Sequence, residues 1–123
     1  MNEETAVLTG SRKGQVWFGR LREWKSGTPV RVDFDWDWVL RREEQRRDIL
    51  GFYHTHPPGV PGPSTRDIRT MQAWVSCLGK PLLCIVRNGK DLSAHLFRTD
   101  EERGRRLPEV QQFERGVLVA IER

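Results

Sequence analysis

Gly51–Asp67, GFYHTHPPGVPGPSTRD, gathers side chains whose types and spacing suit metal chemistry. His54 and His56 stand two residues apart at what reads as a strand end, where positions i and i+2 project to the same face. A Pro/Gly-rich loop follows, then Ser64-Thr65-Arg66-Asp67. This is the S-x-x-D form of a helix start, with Ser64 as N-cap and Asp67 in the first turn. Two imidazoles and a carboxylate brought to one point are the three protein ligands of a catalytic zinc, whose fourth position holds a water. The competing reading is structural. A single histidine is more often packed or solvated than a ligand, and Ser64 and Asp67 cap a helix with or without a metal. That reading has to explain four coincident spacings.

The same residues resemble a known family. H-x-H-P, a serine eight residues after the second histidine and an aspartate three further on match the JAMM motif of the MPN+/JAB-domain zinc metallopeptidases at His54, His56, Pro57, Ser64 and Asp67. The resemblance implies an α/β (α+β) fold: one MPN/JAB-like domain over residues 1–123, with a mixed, mainly antiparallel sheet flanked by helices. It implies Zn²⁺ on His54, His56 and Asp67, with Ser64 orienting the bound water and the developing oxyanion. It also implies an upstream glutamate as general acid/base. Family members place it in the pattern E-x-x-(small)-x-L-x-G. Aligned on Gly10, that pattern takes Glu3, Ala6 and Leu8, so Glu3 is the candidate. Glu4 is the alternative, but a one-residue step in a strand inverts the side chain. Relatives usually carry a helix before this strand, whereas two residues precede Glu3 here. The chain is then the trimmed part of a longer protein, lacking an N-terminal segment or partner domain, or its C-terminal segment covers that face.

By the same resemblance, the substrate is a ubiquitin-like protein or its conjugate, cleaved at a peptide or isopeptide bond after its C-terminal glycine, in the manner of a deubiquitinase. Such a tail docks extended against a sheet edge. The small size, without long insertions, is similar to prokaryotic members. Three alternatives stand beside this. A RadC-like, DNA-repair-associated JAB protein has a similar H-x-H-P…P-S-x-x-D segment. A phage or cell-wall JAB peptidase is the second. A metal-free MPN scaffold is the third, and the intact ligand set argues against it.

Composition narrows the classes. A chain of 123 residues is long enough for one core. No apolar run approaches a membrane span, and MNEETAVLTG lacks signal-peptide character. Cys77 and Cys84 sit among apolar residues and read as buried thiols rather than a disulfide, which fits a reducing cytoplasm. The net charge of +4 comes from arginines that alternate with Glu and Asp, as in RREEQRRD and RTDEERGRR. Solvated, ion-paired faces account for these better than nucleic-acid binding does.

The elements that must position the motif follow from periodicity. Thr5–Thr9, Gly14–Arg20 and Thr28–Phe34 read as a three-stranded antiparallel meander, with a hairpin loop over Ser11–Gly14. Asp35 or Asp37 caps a helix to about Arg47, with Trp36, Val39 and Leu40 inward. Asp48–His54 is the central strand. From Thr65, the residues Ile68, Met71, Val75 and Leu78 recur at helical spacing until Gly79. Pro81–Arg87 is a strand apolar enough to be buried on both faces. Asn88-Gly89 marks a tight turn into a sixth strand, Asp91–Arg98, where His95 reads as structural. Leu107–Arg123 reads as a terminal helix, with a helix-then-strand reading left open by Gly116 and VLVAI.

Overall fold

A computed structural model of the chain describes residues 3–27, 34–57, 59–60, 62–99, 101 and 103–123. The elements run β1 (Glu3–Lys13), β2 (Val16–Gly27), α1 (Trp36–Arg46), β3 (Ile49–His56), α2 (Thr65–Leu78), β4 (Leu82–Asn88), β5 (Asp91–Phe97), β6 (Arg105–Arg106), β7 (Glu109–Phe113) and β8 (Val117–Ile121). The strands form a single sheet in the order β6-β5-β4-β3-β1-β2-β8-β7. Every neighbouring pair is antiparallel except β3 and β4, which run parallel and are joined through α2. A parallel pair needs such a crossover, and a helix is its usual form.

Local chemistry sets the helix ends. Asp35 caps α1 by accepting the Trp38 N–H at 3.1 Å. Ser64 and Asp67 form a reciprocal capping box on α2, and Gly79 ends that helix in the left-handed region at φ 70°. Gly89 supplies the positive φ for the two-residue turn between Asn88 and Asp91.

Each face of the sheet carries its own core. On one face, Met71, Trp74 and Val75 of α2 and Val39 of α1 cover Val7, Phe52, Cys84 and Val86. On the other face the buried cluster around Leu8, Trp17, Tyr53, Ile85 and Leu118 draws on strands and the segment at Leu107, with no helical residue. The sheet covers this face by curling on itself. Arg87 fastens the curl, donating to the Tyr53 hydroxyl at 3.1 Å and to Gln112 Oε1 on β7 at 2.6 Å.

A bulge sets which face the histidines use. Leu8 pairs with Gly51 but Thr9 pairs with Ile49, which leaves Leu50 as an extra residue in β3. The alternation shifts by one, so that Ile49 and Phe52 both join the helix-side core, with His54 and His56 in phase with Phe52. Gly51 makes this possible. At φ 150°, a Cβ there would lie 1.8 Å from the Leu83 carbonyl oxygen.

Several expectations change. The C-terminal segment is the β7–β8 hairpin and not a helix. Leu118 and Ala120 are buried between half-buried Val117, Val119 and Ile121, a period of two. The cause is tertiary: β8 pairs with Val16–Arg20 of β2 and satisfies an edge that would otherwise be open. The first hairpin loop shrinks to Gly14-Gln15, because Ser11–Lys13 stay paired in β1. The expected third strand lies, apart from Phe34, outside the described residues. Phe34 packs on Phe52 and Trp74, with ring centroids 4.7 and 5.1 Å away. Cys77 is exposed, on the α2 flank that carries Arg66, Thr70 and Ala73, whereas Cys84 is buried; both thiols are free. His95 is buried and its Nε2 lies 2.8 Å from Ser93 Oγ.

Candidate metal centre

Strand β3, helix α2 and strand β1 meet at one end of the helix-covered face. His54 and His56 project from the end of β3 with their rings 4.6 Å apart and nearly perpendicular. Asp67 comes from the first turn of α2 and receives both: His54 Nδ1 is 3.0 Å from Oδ1, and His56 Nε2 is 2.9 Å from Oδ2. The Ser64 backbone N–H adds a third bond to Oδ2 at 3.0 Å, and Ser64 Oγ accepts the Asp67 N–H at 3.1 Å. One capping box thus fixes the helix start and the carboxylate together.

His54, His56 and Asp67 are all buried, and one ligand atom from each falls within 4.8 Å of the others, a grouping able to hold a metal ion. Two nitrogens and one oxygen suit a borderline-soft divalent ion better than calcium or magnesium, which prefer all-oxygen sites. The electrostatics agree. Burial opposes ionisation of Asp67, but the bonds from His54, His56 and the Ser64 N–H outweigh it and hold the carboxyl well below its usual range. Burial likewise opposes charge on His54, yet Asp67 and Glu3 raise its pKa above the ordinary 6.5. A metal cation held here would take the place of that proton, because ligating imidazole is neutral.

Glu3 completes the group from the start of β1. Its Oε2 is 2.8 Å from His54 Nε2, and the residue is 8% exposed in spite of its charge. Glu4 turns the other way and its carboxylate pairs with Arg115. The cavity at this point measures about 160 Å³, with Pro57, Val60 and Phe34 among its walls. Gly59, in the loop over the histidines, donates its N–H to Asn88 Oδ1 at 2.9 Å.

Thr5, Phe34, Arg66 and Thr70 also line the cavity and carried no sequence signal of their own. Thr5 pairs directly with His54. Among the described residues its hydroxyl is the one buried side-chain polar atom without a hydrogen-bond partner. Arg66 is an unconstrained position inside S-x-x-D.

Residues 1–101 match the family model of prokaryotic homologs of the JAB domain, so the chain belongs to that family. The β7–β8 hairpin lies beyond the matched stretch but is paired into the same sheet. The chain is also similar to the histone deubiquitinase MYSM1 of Branchiostoma floridae, 42% identical over 43 residues. That stretch is 32% of this chain and 5% of that protein.

Proposed function

We propose that the chain is a zinc peptidase that hydrolyses the peptide or isopeptide bond after the C-terminal glycine of a ubiquitin-like protein. The observation that carries this reading is the buried group of His54, His56 and Asp67, with Glu3 at its rim, in a chain of the JAB family. Three protein ligands of this kind with one position open are the pattern of catalytic zinc. When bound, zinc supplies Lewis acidity and a water acidic enough to ionise near neutral pH. Glu3 takes the proton of the attacking water and returns it to the leaving amine. Ser64 Oγ accepts the Asp67 N–H, so its own proton is left to donate to the oxyanion.

The substrate class is supported by the walls of the cavity and by the name of the matched relative. A small cavity bounded by Pro57, Val60 and Phe34 favours glycine beside the scissile carbonyl. The relative is a deubiquitinase, which bears on this chain only as a guide, because the match covers so little of it. The two free thiols suit a reducing cytoplasm. Among the described residues no helix is long and apolar enough to cross a membrane.

The test pairs metal content with cleavage. The expected result is one zinc per chain, lost in Asp67→Ala, and turnover of a ubiquitin-like fusion ending in Gly-Gly well above one ending in Gly-Val. Glu3→Gln keeps zinc and loses about 10²–10⁴-fold in rate, while Glu4→Gln stays active. Equal zinc in Asp67→Ala refutes the metal site. Equal turnover of the two fusions refutes the substrate class, and an inactive Glu4→Gln beside an active Glu3→Gln refutes the assignment of the base.

A further inference from the structure

Thr5 lines the metal pocket, pairs with His54 across β1 and β3, and is 1% exposed. Glu3, Thr5 and Val7 share one face of β1 by the period of two. Val7 joins the helix-side core, so Glu3 and Thr5 stand on the face that carries the histidines. The Thr5 hydroxyl is buried there with no hydrogen-bond partner among the described residues. Packing does not ask for that hydroxyl. Valine has nearly the same shape and suits a buried strand equally well, whereas a buried hydroxyl left unpaired destabilises the fold. Its use lies in a state of the pocket in which a partner reaches it.

His54 points to that partner. Each of its nitrogens meets a carboxylate, Asp67 at Nδ1 and Glu3 at Nε2. A ligating imidazole gives one nitrogen to the metal and keeps at most one N–H, so a loaded His54 gives up one of these two bonds. Asp67 is held besides by His56 and by the Ser64 backbone N–H. Glu3 has no second support: among the described residues only its Oε2 is bonded, and only to His54. A buried carboxylate released from an imidazole needs another donor. Two residues along the same strand face, the Thr5 hydroxyl is free to be that donor.

We propose that Thr5 is a positioning residue: in the loaded site its hydroxyl donates to the Glu3 carboxylate and holds it once His54 is engaged. The proposal rests on the metal-site reading above and adds the residue that fixes the general base.

The test is zinc affinity, measured on the full chain by competition with a chelator of known affinity. The variants are Thr5→Val, Thr5→Ser, Glu3→Ala, and Thr5→Val combined with Glu3→Ala. Affinity reads the difference between loaded and empty states, so a packing effect common to both cancels. Thr5→Val should bind zinc about tenfold more weakly, the worth of a hydrogen bond to a charged group. Its metal-free Tm should be at or above that of the unsubstituted chain. Thr5→Ser should stay within about twofold in affinity, and Thr5→Val should change affinity by less than about twofold when Glu3→Ala is already present. Equal affinity of Thr5→Val and the unsubstituted chain overturns the proposal, because Glu3 then stays on His54 and the hydroxyl stays unpaired. A loss undiminished by Glu3→Ala also overturns it, since the partner is then another group. So does a lower metal-free Tm for Thr5→Val, which would show the hydroxyl bonded before loading. Absence of zinc binding by the unsubstituted chain refutes the metal site and the proposal together. With a cleaved Gly-Gly fusion, Thr5→Val should lower kcat and leave KM unchanged, and Thr5→Ser should restore kcat. If no fusion is cleaved, the peptidase reading fails, while the affinities still decide the role of Thr5.

Discussion

Ser64 has an observed role as helix cap and a proposed one in catalysis, and substitution tells them apart. As N-cap its Oγ accepts the Asp67 N–H at 3.1 Å; on the proposed mechanism its hydroxyl proton is the one left to donate to the oxyanion. Ser64→Ala removes the cap acceptor and should cost about 1 kcal/mol, a fall of about 3–5 °C in Tm for a chain of this size. Ser64→Gly should cost only a few tenths of a kcal/mol. Neither change removes the Ser64 backbone N–H that donates to Asp67 Oδ2, nor the bonds from His54 and His56, so both variants should keep their metal. If the hydroxyl stabilises the oxyanion, both lose about 10²–10³ in kcat, near 3–4 kcal/mol of transition-state stabilisation. Stability then separates alanine from glycine while hydrolysis does not. The assay is urea denaturation alongside single-turnover cleavage of a Gly-Gly fusion, with zinc content as control. Near-normal turnover by Ser64→Gly would refute the catalytic role and leave Ser64 a cap alone.

Other expectations follow from the fold. Gly51→Ala forces a Cβ to within 1.8 Å of the Leu83 carbonyl oxygen at φ 150°, so it should cost about 3 kcal/mol or more. Gly79→Ala, at φ 70° with open space around it, should cost only about 1 kcal/mol; equal losses on denaturation would count against the bulge. Burial, joined by the charge of Arg106, lowers the His95 pKa to about 4 from 6.5. The unfolded chain therefore binds more protons between those values, and stability is complete above about pH 6.5 and falls as pH drops towards 4. The full shift is worth about 3 kcal/mol, and about 2 kcal/mol after solvent screening. His95→Gln should flatten that part of the pH–stability curve, and an unchanged slope would contradict it. Zinc added to the metal-free chain at about 1,000 times its Kd should stabilise it by about 4 kcal/mol, read as a rise in Tm that Asp67→Ala abolishes.

What the sequence determined by itself is what short-range chemistry decides. The α2 start at Ser64 and Asp67, its stop at Gly79 and the turn after Asn88 each depend on a few neighbouring residues, and the chain folds there as its local pattern says; for α1 the pattern offers Asp35 or Asp37, and the cap is Asp35. The two-residue spacing of His54 and His56 likewise puts both on one face. Tertiary structure decided which face. The Leu50 bulge exists because β1 and β4 flank β3, and strict alternation from Ile49 would have turned the histidines away from α2. Val117–Ile121 also satisfies a helical period, and pairing with β2 on one side and β7 on the other makes it a strand. Glu3 sits two residues from the start of the chain, and its place is set by contact with a histidine 51 residues away. A depression along α2 is the furthest from any local signal, because Phe34, Trp36 and Trp74 come together only once the helix lies against the sheet.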